Sequence, residues 1–260
     1  MLTLYQFELS AYCEKVRLIL DYKGLAYRKQ EVVPGLGQME VLQLSGQRQV
    51  PVLKDGDTVI PDSTAIALYL ERQYPGRPLL PDDAYTRGLC LCLEAWADEV
   101  LMPKVRRVFV GALTQDAELR LALLPQETPD PLRVLVGGLP ADLWQMVGSG
   151  VGLGIAEVAA AKQELREVLA RLSGMLAGRP YLLGDSPTLA DLTVASLTLT
   201  LKFPALPYLN LPAALQGKGI AGIADDPTCA PFFVWRDQIY QQFRRLVGEP
   251  PAGPTAVIIE

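Results

Sequence analysis

Three short stretches of the chain combine residue types and spacings that could do chemistry. In Ser10-Ala11-Tyr12-Cys13 a hydroxyl and a thiol stand three residues apart at the start of an amphipathic pattern. A thiol in the first turn of a helix lies in the field of the helix N-terminus, which lowers its pKa as in Cys-X-X-Cys redox sites; here a serine stands where the first cysteine would be. The same residues also suit a plain helix start, with Ser10 as N-cap and Cys13 as a small buried hydrophobe. In Gln49-Val50-Pro51-Val52-Leu53 a proline interrupts a strand-like run. Pro51 removes a ladder donor and so belongs at an edge, a strand start or a bend; were its peptide bond cis, the backbone groups of Val50 would be free to pair with an extended peptide. Asp62-Ser63 opens a helical pattern. The free amides and positive dipole end there attract a carboxylate, Ser63 can donate to it, and Asp62 can accept from an ammonium. That combination fits an α-amino acid head group as well as an ordinary N-cap.

Composition narrows what these residues can do. The 260-residue chain contains no histidine, which excludes Ser-His-Asp and Cys-His nucleophile systems, the HExxH zinc site and every imidazole acid–base or ligand role. Catalysis must rest on a hydroxyl, thiol, carboxylate or amine, or on a reactive group brought by a co-substrate, and no metal is expected. A net charge of −5 and a pI near 5.0 offer no basic face to a phosphate backbone, so nucleic acid is not an expected partner. The opening MLTLYQF has neither a positive leader nor a cleavage site, and the longest charge-free apolar stretch, 143–156, is shorter than the ~20 residues that span a bilayer. With four cysteines (Cys13, Cys90, Cys92, Cys229) and no CxxC pair, these features predict a cytoplasmic protein with no membrane span and reduced thiols.

The elements that must position the three stretches follow from periodicity. Residues 1–7 read as a strand, 12–23 as an amphipathic helix and 25–33 as a second strand, a βαβ unit. In the helix, Val16, Leu18, Ile19, Leu20 and Tyr22 alternate with Glu14, Lys15, Arg17, Asp21 and Lys23, and Gly24 is the expected C′ residue. A short helix follows within 34–45, then two strands over 49–60 joined at Asp55-Gly56, then a helix over 62–74. The proline-rich residues 75–84 read as linker; beyond them only helical periods recur, at 85–123, 155–177, 188–203 and 231–247. The expected division is a first domain at 1–76, a linker at 77–86, a helical domain at 87–247 with an irregular insertion at about 125–154, and a flexible tail at 248–260. The glycine run 148–154 fails the spacing of phosphate-binding loops and reads as a plain loop.

The order of these motifs, S-x-x-C at a strand-to-helix turn, VP before a hairpin, DS opening a helix, then a proline-rich linker and helices, resembles the glutathione S-transferase superfamily in a serine/cysteine-type, bacterial-like form. Thr188-x-x-Asp191 is similar to a structural capping element of that family's second domain. The resemblance implies an α/β thioredoxin-like N-terminal domain (βαβ-α-ββ-α) followed by an all-α C-terminal helical domain. It implies that glutathione is co-substrate: Val50, ahead of Pro51, pairs through its backbone with the cysteinyl part, Asp62 and Ser63 hold the γ-glutamyl end, and Ser10 donates to the sulfur. The activated thiolate would attack a small hydrophobic electrophile held by the helical domain of a homodimer. Cys13 keeps a second route open, thiol–disulfide exchange through a mixed disulfide. A third reading is a binding module that keeps the fold without the chemistry.

Overall fold

The computed structural model describes residues 1–32, 37–122, 130–138 and 154–249. Strand β1 (Leu2–Gln6) alternates buried and half-buried residues, the period of a strand with one face on a core. It pairs in parallel with β2 (Tyr27–Glu31), reached through α1 (Ala11–Tyr22), and antiparallel with β3 (Val52–Asp55), which turns back into β4 (Thr58–Pro61). The sheet order is β2-β1-β3-β4. Asp55 pairs with Thr58, so the hairpin loop is Gly56-Asp57, one residue beyond the expected junction, with Gly56 at φ +58°. Helices α2 (Gln38–Ser45) and α3 (Ser63–Gln73) complete the βαβ-α-ββ-α order.

From residue 84 on, the described residues are mainly helical. Helices α4 (Ala84–Trp96) and α5 (Met102–Gln115) run into one another through a π-helical turn at Ala97–Leu101. They are followed by α6 (Ala117–Ala122), α7 (Asp130–Gly138), α8 (Ile155–Met175), α9 (Leu189–Leu197) and α10 (Ala230–Phe243). Helix α7 lies inside the stretch expected to be irregular; residues 125–129 and 139–153, most of the glycine run, and the tail from residue 250 lie outside the described residues. No helix among the described residues is long and apolar enough to cross a membrane.

All nine residues of α9 are buried, and its start is held by Asp191. One carboxylate oxygen accepts from the Thr188 N–H (2.9 Å) and hydroxyl (2.7 Å), the other from the Leu182 N–H (2.7 Å). The linker joins the same point, the Leu189 N–H donating to the Leu79 carbonyl at 2.7 Å.

The main departure from the sequence reading concerns α1. Its end is as expected: Gly24 (φ +69°) follows the last turn, and Leu25 and Gly24 donate to the carbonyls of Leu20 and Asp21. Its polar face, however, does not meet water. The helix packs against α3 on one side and against α9 and α10 on the other, and Glu14, Lys15, Arg17, Asp21 and Lys23 are all buried. Buried charges need partners. Arg17 Nε donates to Glu14 at 2.6 Å. From the far end of the chain, Arg244 donates to Glu14 at 3.0 Å and to Asp21 at 2.6 Å. Arg245 reaches Asp21 at 2.7 Å, and Lys23 reaches Glu71 at 2.8 Å.

Removing Arg244 leaves two buried carboxylates short of a partner. Arg244→Ala is expected to lower unfolding stability by about 3–5 kcal/mol, read from the denaturant midpoint. Burial pushes the Glu14 carboxyl up, but Arg244 and Arg17 outweigh it and hold its pKa below the ordinary carboxylate value. A depressed folded-state pKa contributes stability that is full above the unfolded value of about 4.5 and is lost as pH falls through the folded one. Wild-type stability should therefore decline below that pH, and the decline should be shallower in Glu14→Gln.

Candidate functional site

The strand register decides which residues meet. Tyr5 near the end of β1 pairs with Val52 at the start of β3, and Val52 pairs with Pro61 at the end of β4. The exit of β1 towards Ser10, the entry to β3 through Val50-Pro51 and the exit of β4 into Asp62-Ser63 therefore share one end of the sheet. Three segments spread over about fifty residues of chain are gathered by antiparallel pairing.

Ser10 is half-buried and caps α1, its Oγ accepting from the Cys13 N–H at 3.3 Å. Accepting that bond leaves the hydroxyl proton free to be donated elsewhere. The loop before it is pinned by Arg17, which donates to the Glu8 carbonyl at 2.7 Å and to the Gln6 side chain. The Val50–Pro51 peptide bond is cis, and Val50 makes no backbone hydrogen bond among the described residues. Asp62 is exposed and sits at φ +76°, a conformation that costs a non-glycine residue about 1–3 kcal/mol. Its Oδ1 offsets this by capping α3, accepting from the N–H groups of Thr64 and Ala65 at 2.9 Å each, while Oδ2 remains unbonded among the described residues. Ser63 is buried, and neither its N–H nor its hydroxyl has a partner among the described residues.

Of its two readings, Cys13 takes that of a small buried hydrophobe. It faces the core, fully buried, and burial pushes its thiol pKa up; the Arg17 charge and the Ser10 hydroxyl pull the other way and do not prevail. The helix-end field cannot activate a thiol that would have to ionise in an apolar environment.

A triad of buried Lys15 and Glu94 with half-buried Thr64, beneath the start of α3, escaped the sequence reading. Lys15 on α1 pairs with Glu94 on α4 and donates to the Thr64 hydroxyl at 2.9 Å, which itself donates to Glu94 at 2.7 Å. It fixes α3, and with it Asp62 and Ser63, against the helical region. The π-helical turn beyond Glu94 presents Asp98 to the same region: its carbonyl is 3.5 Å from the Tyr12 hydroxyl and its Oδ1 is buried without a hydrogen-bond partner. Burial raises the Asp98 carboxyl pKa, which Lys15 only partly offsets. Burial also raises that of the Tyr12 phenol, with Asp98 and Asp62 both adding to the shift. Nothing in a single sequence pairs Lys15 with Glu94, because the two meet only across the packed helices.

Residues 4–78 match the glutathione S-transferase N-terminal domain, and residues 155–217 match the glutathione S-transferase C-terminal domain. The chain belongs to the glutathione S-transferase superfamily. This superfamily member is 44% identical over 89 residues to glutathione S-transferase 1 of Dianthus caryophyllus, covering 33% of the chain and 40% of that protein. It thus spans well under half the length of that plant transferase. It is 30% identical over 188 residues to a stringent starvation protein A homolog of Pasteurella multocida, covering 67% of the chain and 89% of the relative. The crystal structure of a glutathione S-transferase from Rhodospirillum rubrum shares the fold, with a TM-score of 0.64, 23% identity and coverage of 98% and 97% of the two chains.

The burial of Cys13 and the exposure of Cys92 predict a labelling order. Iodoacetamide should alkylate Cys92 in the native protein and reach Cys13 only after denaturation, as read by peptide mass spectrometry. Native labelling of Cys13 at a comparable rate would contradict its placement.

Proposed function

We infer that this chain binds glutathione and activates its thiol for attack on a small hydrophobic electrophile. The observation that carries the reading is the strand register, which gathers Ser10, Val50 and Asp62-Ser63 at one end of the sheet in a chain of this superfamily. The γ-glutamyl carboxylate takes the unpaired N–H and hydroxyl of Ser63 at the positive end of α3, and its ammonium takes the free oxygen of Asp62. The unpaired backbone of Val50 bonds the cysteinyl residue as an added strand would. Ser10 donates its free proton to the sulfur. Stabilising the thiolate by about 1.4 kcal/mol lowers its pKa by about one unit, and roughly two units from about 8.5 make most of it thiolate at pH 7.

Asp98 and the surrounding helical residues form the opposing wall, against which the apolar electrophile lies. By the same family reading the chain works as a cytoplasmic homodimer in the disposal of electrophiles. The absence of histidine is no obstacle, since the mechanism needs a hydrogen-bond donor to sulfur and no general base on a ring nitrogen.

A second reading, a binding module that keeps the fold without turnover, is favoured by one observation: the relative aligned over most of its own length is named a stringent starvation protein A homolog. Disulfide chemistry at Cys13 is disfavoured by that residue's burial.

Calorimetric titration should give glutathione a dissociation constant between micromolar and millimolar, weakened at least tenfold in Ser63→Ala, since a hydrogen bond to a charged group carries about 1.5–3 kcal/mol. With an aryl halide as electrophile, Ser10→Ala should lower kcat at least tenfold and move the pH–rate profile to higher pH. No binding at millimolar glutathione would select the module reading, and unchanged turnover in Ser10→Ala would remove that residue from the mechanism.

A further inference from the structure

Ser10 is delivered by a turn over residues 7–10, closed by the Ser10 N–H donating to the Phe7 carbonyl at 3.0 Å, with Glu8 and Leu9 at its corners. A corner residue of such a turn commonly leaves its polar groups to water. Here every polar atom of Glu8 is engaged. Its N–H donates to Glu31 Oε1 at 2.9 Å, and its carbonyl accepts from Arg17 at 2.7 Å. Of its carboxylate, Oε2 accepts from the Gln6 amide at 2.8 Å and stands 3.6 Å from Arg17. The other oxygen, Oε1, accepts from the Asn210 backbone N–H at 2.9 Å and stands 3.8 Å from Lys29. Burial pushes the Glu8 carboxyl pKa up, but Arg17, Lys29 and the bonds from Asn210 and Gln6 outweigh it and hold it below the ordinary value.

The bond from Asn210 spans 202 residues and ties the turn to the helical region. Residues 206–211 lie between α9 and α10, with Tyr208 and Leu209 buried. They are themselves held by the end of the last helix and the residues beyond it. The Tyr208 carbonyl accepts from Arg244 at 3.1 Å, and the Pro207 carbonyl from the Val247 N–H at 2.8 Å. The Asn210 N–H is thus offered to Glu8 from a fixed position. A largely buried ion pair adds little net stability over apolar packing, so what such a cluster contributes is a defined geometry.

We propose that Glu8 is a positioning residue for Ser10: it fixes the turn so that the Ser10 hydroxyl is aimed at the glutathione sulfur, and through Asn210 it makes that aim depend on the 206–211 stretch of the helical region. The inference rests on the glutathione reading. Glu8 acts through Ser10 and needs no contact with substrate. Hydrogen bonds weaken steeply on misalignment, and a displacement of about 1 Å in a reacting geometry can cost about 100-fold in rate.

The test is titration of the thiol of enzyme-bound glutathione, followed by the ultraviolet absorbance of the thiolate, in wild type, Glu8→Ala, Ser10→Ala and the double variant. This readout does not move if a variant merely lowers the folded fraction. Glu8→Ala should raise the bound thiol pKa by about one unit, a tenfold loss of thiolate at neutral pH, and should add nothing once Ser10 is alanine. Glu8→Gln, which keeps an oxygen for Asn210 but loses the charge, should shift it the same way by a smaller amount, and replaces Glu8→Ala in the cycle if that variant does not fold. In hydrogen exchange the Asn210 amide should exchange faster in Glu8→Ala; wild-type protection there would overturn the link to the helical region. If Ser10→Ala raises the bound thiol pKa but the Glu8 variants do not, or if they raise it equally with and without Ser10, the assignment of Glu8 is overturned while the glutathione reading stands. If the thiol bound to wild type titrates as free glutathione does, or Ser10→Ala leaves its pKa unchanged, the glutathione reading fails and this inference with it.

Discussion

The structure depends on a helix that has no face left for water. Helix α1 lies between α3 and the helical region, yet carries Glu14, Lys15, Arg17 and Asp21 along its length. Placing those charges in the interior costs several kcal/mol each unless partners replace the lost hydration. The partners come from everywhere in the chain: Glu71 and Glu94 from α3 and α4, Gln6 and Glu8 from the β1 exit, and Arg244 and Arg245 from beyond the last helix. Neither region can be complete without the other, because each holds counter-charges for the helix between them.

The same constraint prepares the candidate site. Arg17 pins the loop that delivers Ser10, and the Lys15–Thr64–Glu94 triad pins the turn that delivers Asp62 and Ser63. Both lysine and arginine project from α1, so one buried helix sets the spacing of two of the three segments that meet at the end of the sheet. The third, Val50-Pro51, is set by pairing of β3 with β1. The hydrogen-bonding capacity left over is located on Ser10, Val50, Asp62 and Ser63, whose remaining donors and acceptors the fold does not use.

Much of this architecture was legible in the sequence. The strand–helix–strand start, the Gly24 helix end, the hairpin, the Asp62 cap and the Thr188–Asp191 element each rest on local chemistry, within a few residues of chain, and local chemistry is what periodicity and turn residues report. What is not legible there has a common origin. An amphipathic pattern does not show that the polar residues of α1 find partners up to 230 residues away instead of water. For Cys13 a helix start leaves an activated thiol and a small buried hydrophobe both open, and the apolar surroundings that raise its pKa and favour the second are assembled by other elements.

The sequence by itself determined the order of the elements, the capping residues, the absence of imidazole chemistry and the three motifs that carry the family resemblance. Only the tertiary structure decided that no face of α1 is left for water and whether a thiol or a hydroxyl is accessible at its start. The physical reason is that backbone conformation is set by neighbours along the chain, while hydration and dielectric environment are set by neighbours in space. Ionisation and exposure follow the latter.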